Sequence, residues 1–287
     1  MNRVPDVYSE SEEKIEEDIR RRTAEHQAEV ERMKQRHAFG PAKLIGVADG
    51  DSWFDYPLPP IVATDVRDAL QHFDAMSPVL LKLAHHGDAT TALLGVQKRR
   101  RLITALQNKA NGPIEIMLFS GGGNDLVGDQ FLFWVNDAAA VGRDAARGVD
   151  VEALNNVLGV VLDGYAELVR IRDLVAPAAV LFVHAYDYAI PTGKAACPFA
   201  GPWLLPSLRE RGWDEKDGRK IVRAILVEFE RRLHALASRH QNVVVVPTQG
   251  TLGDNDWANE LHPTPGGFRQ IAAKFRRTIA AKFPGRI

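Results

Sequence analysis

From Gly40-Pro41 onward the chain alternates short apolar runs with longer amphipathic stretches, and this alternation limits the fold more than any other feature. The runs at 43–48, 78–83, 114–119, 179–184 and 243–246 are short, aliphatic or β-branched, and closed by turn or loop signals, as buried strands are. The leucines of 78–83 suit a helix equally well. Helical stretches lie between and after the runs: 65–73 with Thr64 as its cap, 91–109, 151–175, 217–239 and 264–282. In 151–175 the residues Leu154, Leu158, Val161, Tyr165, Leu168 and Val175 recur at helical spacing and stop before Pro177. Strands that alternate with helices predict a parallel sheet covered on both faces. Ligands of such sheets bind beyond the carboxyl ends of the strands, near a topological switch point. Residues that carry chemistry are therefore expected directly after strands.

They are found there. The first run ends in Ala48-Asp49-Gly50-Asp51-Ser52-Trp53, and the second is followed by His86-Gly87-Asp88-Ala89-Thr90-Thr91. Gly121-Gly122-Gly123-Asn124-Asp125 follows the third, and Asn259-Glu260-Leu261-His262-Pro263-Thr264 lies beyond the fifth. Each block alone has a bland reading as a turn or a helix start. Four blocks in order, each at the mouth of an expected strand or loop, say more. Together they resemble the SGNH hydrolases, also called GDSL esterases. That name takes one residue from each block: here Ser52, Gly87, Asn124 and His262. The resemblance covers about residues 43–282.

It implies a three-layer α/β/α domain with a five-stranded parallel sheet, flavodoxin-like, and hydrolysis of a small-molecule ester through an acyl-serine. Ser52 is then the nucleophile and His262 the base. The backbone N–H groups of Ser52 and Gly87 and the Asn124 amide form the oxyanion hole, and no metal or organic cofactor is required. The residue types fit the task. A serine hydroxyl needs a base at hand, and imidazole titrates near neutrality. Glycine lets an oxygen approach the backbone closely, and an amide donates without titrating. Which ester is cleaved, and whether water is the acceptor, stay open.

The final block departs from the family pattern, Asp-x-x-His. Asn259 occupies the place of the aspartate that orients the imidazole. Asn259 through its amide oxygen, a nearby backbone carbonyl, Asp256 or Glu260 are the alternatives. A dyad helped by Asn259 or a loop carbonyl is preferred, and Asp256 has a competing reading as a turn residue.

Two rivals use the same residues. Asp49-x-Asp51 after a strand echoes the haloacid-dehalogenase phosphatases, with Asp49 as nucleophile, Ser120 on phosphate, and Asp125 with Asp129 on Mg²⁺. Trp53 stands where that pattern prefers a small residue, and His262 is left without a role. The other rival is a binding module on a degenerate hydrolase scaffold. Elsewhere, His85 and His86 are read as packing or pocket residues, because neighbours on an extended strand face opposite ways. Asp187 is a candidate loop brace. Residues 131–134 (Phe-Leu-Phe-Trp) suit pocket and core equally, and the Pro-, Gly- and Trp-rich segment 189–218, which contains Cys197, is a candidate lid.

Residues 1–40 are expected to form a charged helical arm before a catalytic domain at 41–287. Ile15, Ile19, His26, Val30 and Met33 make a thin apolar stripe along it. Local docking across the domain is preferred to a homo-oligomer contact. A formal net charge of -1 gives no global field for nucleic acid or an anionic membrane. The start of the chain lacks a signal-like apolar region, and no uncharged run is long enough to span a bilayer, so a cytoplasmic location is expected. One cysteine excludes an intramolecular disulfide.

Overall fold

Five strands pair in parallel in the order β2-β1-β3-β4-β5, with β1 Ile45–Gly50, β2 Val79–Lys82, β3 Ile116–Ser120, β4 Val180–Val183 and β5 Val243–Val245. The computed structural model describes residues 12–36, 43–56, 65–87, 89–90, 95–196 and 201–287. Every apolar run expected as a strand is one, including 78–83. Its register with β1 pairs Ile45 with Val79 and Ala48 with Lys82. The strands of such a sheet are buried on both faces, and β1, β3 and β4 are buried along their whole length.

Helices cover both faces and give the three-layer α/β/α arrangement expected from the alternation. They are α1 Glu12–Arg36, α2 Val66–Gln71, α3 Val96–Gln107, α4 Gly123–Leu126, α5 Val151–Val175, α6 Leu205–Glu210, α7 Glu215–Ala237 and α8 Pro265–Lys282. α2 packs on α8, whereas α3 and α7 both pack on α5. Helix starts follow local capping. Asp65 Oδ1 accepts the Asp68 N–H at 2.7 Å, Asp214 opens α7, and Thr264 Oγ1 accepts the Gly267 N–H at 3.1 Å. Thr64, the expected cap of α2, lies outside the described residues, as do Asp88, Thr91, Cys197 and residues 1–11. α7 starts two residues earlier than expected, because Asp214 caps it.

α1 lies against β2. Val30 is fully buried with Ile45 and Val79, and Ile19 joins the main core. Much of its apolar stripe is thus buried against the chain's own sheet. Among the described residues no helix is long and apolar enough to cross a membrane.

The strand order reverses between β1 and β3, the two neighbours whose connections leave in opposite directions. A crevice opens at such a switch point, beyond the carboxyl ends of the strands. β1 delivers Ser52 there and β3 delivers Gly121–Asn124. Gly50 is required for the approach: its φ is +136°, and a Cβ would lie 2.1 Å from Ser120 O.

Candidate active site

The structure brings Ser52 and His262 together across 210 residues of chain, with Ser52 Oγ 2.7 Å from His262 Nε2. The other ring nitrogen, Nδ1, lies 3.1 Å from Asn259 Oδ1. That same oxygen accepts the backbone N–H groups of Leu261 at 3.0 Å and His262 at 2.9 Å. Two backbone donors identify the amide atom as the oxygen, so Nδ1 carries the proton. The lone pair of Nε2 then faces the serine hydroxyl. Asn259 Nδ2 donates to Tyr56 Oη at 3.3 Å.

Of the expected partners of the imidazole, Asn259 reaches it and the acids do not. Asp256 Oδ2 accepts the Gly253 N–H at 2.9 Å and closes a turn. Glu260, fully buried, accepts four backbone N–H groups from a distant segment: Gly193 (2.9 Å), Trp203 (2.5 Å), Leu204 (2.7 Å) and Leu205 (3.0 Å). It fastens Gly193 and Trp203–Leu205 to the His262 loop. A Trp203 ring 5.8 Å from His262 and a Tyr56 ring 4.7 Å away wall off the imidazole. Burial, with His86 adding to it, lowers the His262 pKa to about 3, so the ring is neutral at ordinary pH.

The Ser52 turn is braced from beneath. Asp51 accepts from Tyr186 Oη at 2.5 Å, Ser120 Oγ at 2.7 Å and the Trp53 N–H at 3.1 Å. Burial raises its carboxyl to about 6, against the pull of those donors. Tyr186 Oη in turn accepts the Gly123 N–H at 2.9 Å, which ties the Ser52 turn to the start of α4 beside Asn124. Trp53 Nε1 donates to Leu261 O at 3.1 Å and links the Ser52 turn to the His262 loop. Nothing in the sequence singled out Tyr186 for this part; its φ of +60° is a property of the folded loop.

Ser52, Asn124 and His262 line one narrow cleft that opens to solvent. Its walls are apolar: Leu126, Val127, Phe131, Leu204, Val222, Ile225 and Trp257. Phe131 thus serves both pocket and core, whereas Phe133 is exposed and Trp134 is buried. Gly87 is not a wall of this cleft. It lies in the turn after β2, with φ +79° and open space where a Cβ would stand.

Two expectations need correction or refinement. His85 and His86 do not face opposite ways. β2 ends at Lys82, so the alternation of a strand no longer applies, and their rings stack with centroids 4.5 Å apart. Asp187 is a brace: it accepts the N–H groups of Gly250 (2.6 Å), Thr251 (2.9 Å) and Leu252 (2.7 Å). The groups wanted for a phosphatase are engaged otherwise. Ser120 Oγ is held by Asp51, and Asp125 Oδ2 accepts the N–H and hydroxyl of Thr90, both at 2.8 Å. Among the described residues no three His, Cys, Asp or Glu side chains form a metal-holding group.

No family model matches this chain, and no curated protein matches it. Solved structures do. The lipase Lip_vut3 from goat rumen metagenome has a TM-score of 0.53 at 15% identity, covering 82% of this chain and 97% of its own. An extracellular lipase from Streptomyces rimosus has a TM-score of 0.50 at 16% identity, covering 82% of this chain and 99% of its own. A member of the lipolytic protein G-D-S-L family from Veillonella parvula superposes less closely, with a TM-score of 0.47, 17% identity and coverages of 84% and 98%. The chain has the fold of the two lipases.

Proposed function

We propose that this protein hydrolyses a carboxylic ester of an acyl or aryl group through an acyl-serine intermediate. The observation that carries the reading is the 2.7 Å contact between Ser52 Oγ and a neutral His262 Nε2 whose tautomer is set by Asn259. Ser52 Oγ attacks the ester carbonyl while Nε2 takes its proton. The resulting imidazolium keeps its Nδ1–H on Asn259. Negative charge on the carbonyl oxygen is met by the Ser52 N–H and the Asn124 amide, which line the cleft, where preorganised donors are worth the most; the Gly87 N–H, on the turn after β2 outside the cleft lining, is the third donor that the family resemblance implies. Collapse expels the alcohol, which takes the proton from His262. A water activated by the same nitrogen then releases the acid and restores the serine. The apolar walls suit an uncharged acyl or aryl group, and the lipase fold agrees with this chemistry.

The test is hydrolysis of p-nitrophenyl esters by the wild type, Ser52→Ala and His262→Ala. The expected result is turnover by the wild type and a loss of at least about 10³-fold in each variant. Turnover that survives in Ser52→Ala, or a folded wild type that turns over no ester while Ser52→Ala still binds the ligand, contradicts the reading. The second outcome returns the protein to a binding role.

A further inference from the structure

α1 lies outside the segment that carries the hydrolase motifs, yet one of its side chains reaches the turn that holds Gly87. Arg22 Nη1 donates to Ala84 O at 3.0 Å, and Nη2 donates to Asp55 Oδ1 at 3.2 Å. Asp55 is part of the Ser52 turn, its N–H bonded to Asp51 O at 3.1 Å. The same carboxylate holds Lys82 Nζ at 2.7 Å, and its second oxygen faces His86 Nδ1 at 3.5 Å. The chain from Lys82 to His86 is therefore held at three places by one carboxylate and one guanidinium. His85 N–H completes the attachment by donating to Gly50 O at 3.0 Å.

Asp55 is only 6% exposed, and three basic side chains converge on it. A buried ion pair contributes little net stability beside a well-packed apolar pair. Stability alone does not explain so many charges at this junction; geometry does. Ser52, the proposed nucleophile and through its N–H an oxyanion donor, sits on one of the two turns that Asp55 joins. The other turn carries Gly87, the donor that the family resemblance implies, and such a donor must lie about 2.7–3.1 Å from the charged oxygen. A displacement of about 1 Å in such a site can lower turnover on the order of 10²-fold.

We propose that Asp55, clamped by Arg22 of α1 and Lys82 of β2, is a positioning residue that sets the spacing between the Ser52 and Gly87 turns. The N-terminal helix then belongs to the frame of the active site. This rests on the ester-hydrolase reading of Ser52, Gly87 and His262.

The test uses the full chain with Asp55→Asn, Arg22→Gln and the double variant, assayed on p-nitrophenyl butyrate. Active sites are counted by fluorophosphonate titration, so that turnover is expressed per competent site. Expected is a fall in kcat of roughly 10- to 100-fold for Asp55→Asn and about tenfold for Arg22→Gln, with KM within about twofold. The double variant is expected to lose clearly less than the product of the two single losses, because both remove the Arg22–Asp55 contact. A merely structural role lowers the number of titratable sites and leaves kcat per site unchanged, and that result overturns the proposal. So do additive losses in the double variant, or a rise in KM alone. If Asp55→Asn does not fold, Arg22→Gln decides by the same criterion. A wild type that fails to label at Ser52 overturns the hydrolase reading and this proposal with it. A labelled wild type with unaffected variants overturns the positioning role only.

Discussion

Asn259 Oδ1 is shared by three donors, the imidazole Nδ1 and backbone N–H of His262 and the N–H of Leu261, at 3.1, 2.9 and 3.0 Å. An amide oxygen has two lone pairs, so the imidazole receives a partial share of them. It also carries no negative charge with which to stabilise an imidazolium, the part a carboxylate plays in a serine triad. Asn259→Asp is therefore expected to raise kcat about tenfold or more, since Tyr56 Oη beside it can donate to the new oxygen. Asn259→Ala is expected to lower kcat roughly 10- to 100-fold by releasing the ring. Steady-state ester hydrolysis measures both, and equal turnover in all three proteins would remove residue 259 from the reaction.

The acid limb of the pH profile follows from the burial of His262. The neutral ring is the base, and its pKa stands at about 3, below the usual value of 6.5. Lowering the pH through 6.5 therefore leaves the base unprotonated, and kcat/KM is expected to hold until the pH approaches 3–4. In Asn259→Asp the added carboxylate favours the imidazolium, so the limb should move to higher pH. A wild-type limb centred near 6.5 contradicts the assignment of a desolvated base.

His184 gives a matching prediction for stability. It is fully buried, and burial lowers its pKa to about 3 from 6.5. The unfolded chain binds a proton below 6.5 that the folded ring refuses. This group's stabilisation is thus complete above 6.5 and is lost as the pH falls from there toward 3. The loss is on the order of a few kcal/mol. Nδ1 of His184 accepts the Tyr186 N–H at 3.2 Å, and Asn can keep that acceptor. In urea unfolding between pH 4 and 7, His184→Asn is expected to show a shallower dependence on pH than the wild type. Parallel curves would contradict this.

Glu260 ties the covering segment to the His262 loop with four charge-assisted bonds, and a glutamine in its place turns one acceptor into a donor that faces N–H groups. Glu260→Gln is expected to destabilise the fold by about 2–4 kcal/mol and to loosen Trp203 over His262. Denaturant midpoints test the first effect, and a raised KM tests the second. A variant with wild-type stability would mean that the segment is held by packing alone.

Most of the fold was legible because its signals are local. Short apolar runs closed by turns marked all five strands, and helical periodicity bounded α5 at Val151–Val175 to the residue. The pairing of Asn259 with His262 was legible from a spacing of three residues. What escaped depends on residues brought together from far apart. Tyr186 reaches Asp51 from 135 positions away, and Glu260 reaches Leu205 across 55. No periodicity encodes either contact. The orientation of His85 and His86 escaped for a different reason: they lie three and four residues past the end of β2, where the strand rule no longer holds.

The central claim is that Ser52 is activated by His262. Treatment of the pure protein with a fluorophosphonate, followed by mass spectrometry of its peptides, tests this without any assumption about the substrate. The account predicts an adduct on Ser52 that is absent in Ser52→Ala and strongly diminished in His262→Ala. A folded wild type that stays unlabelled, or an adduct on another serine that persists in both variants, contradicts it.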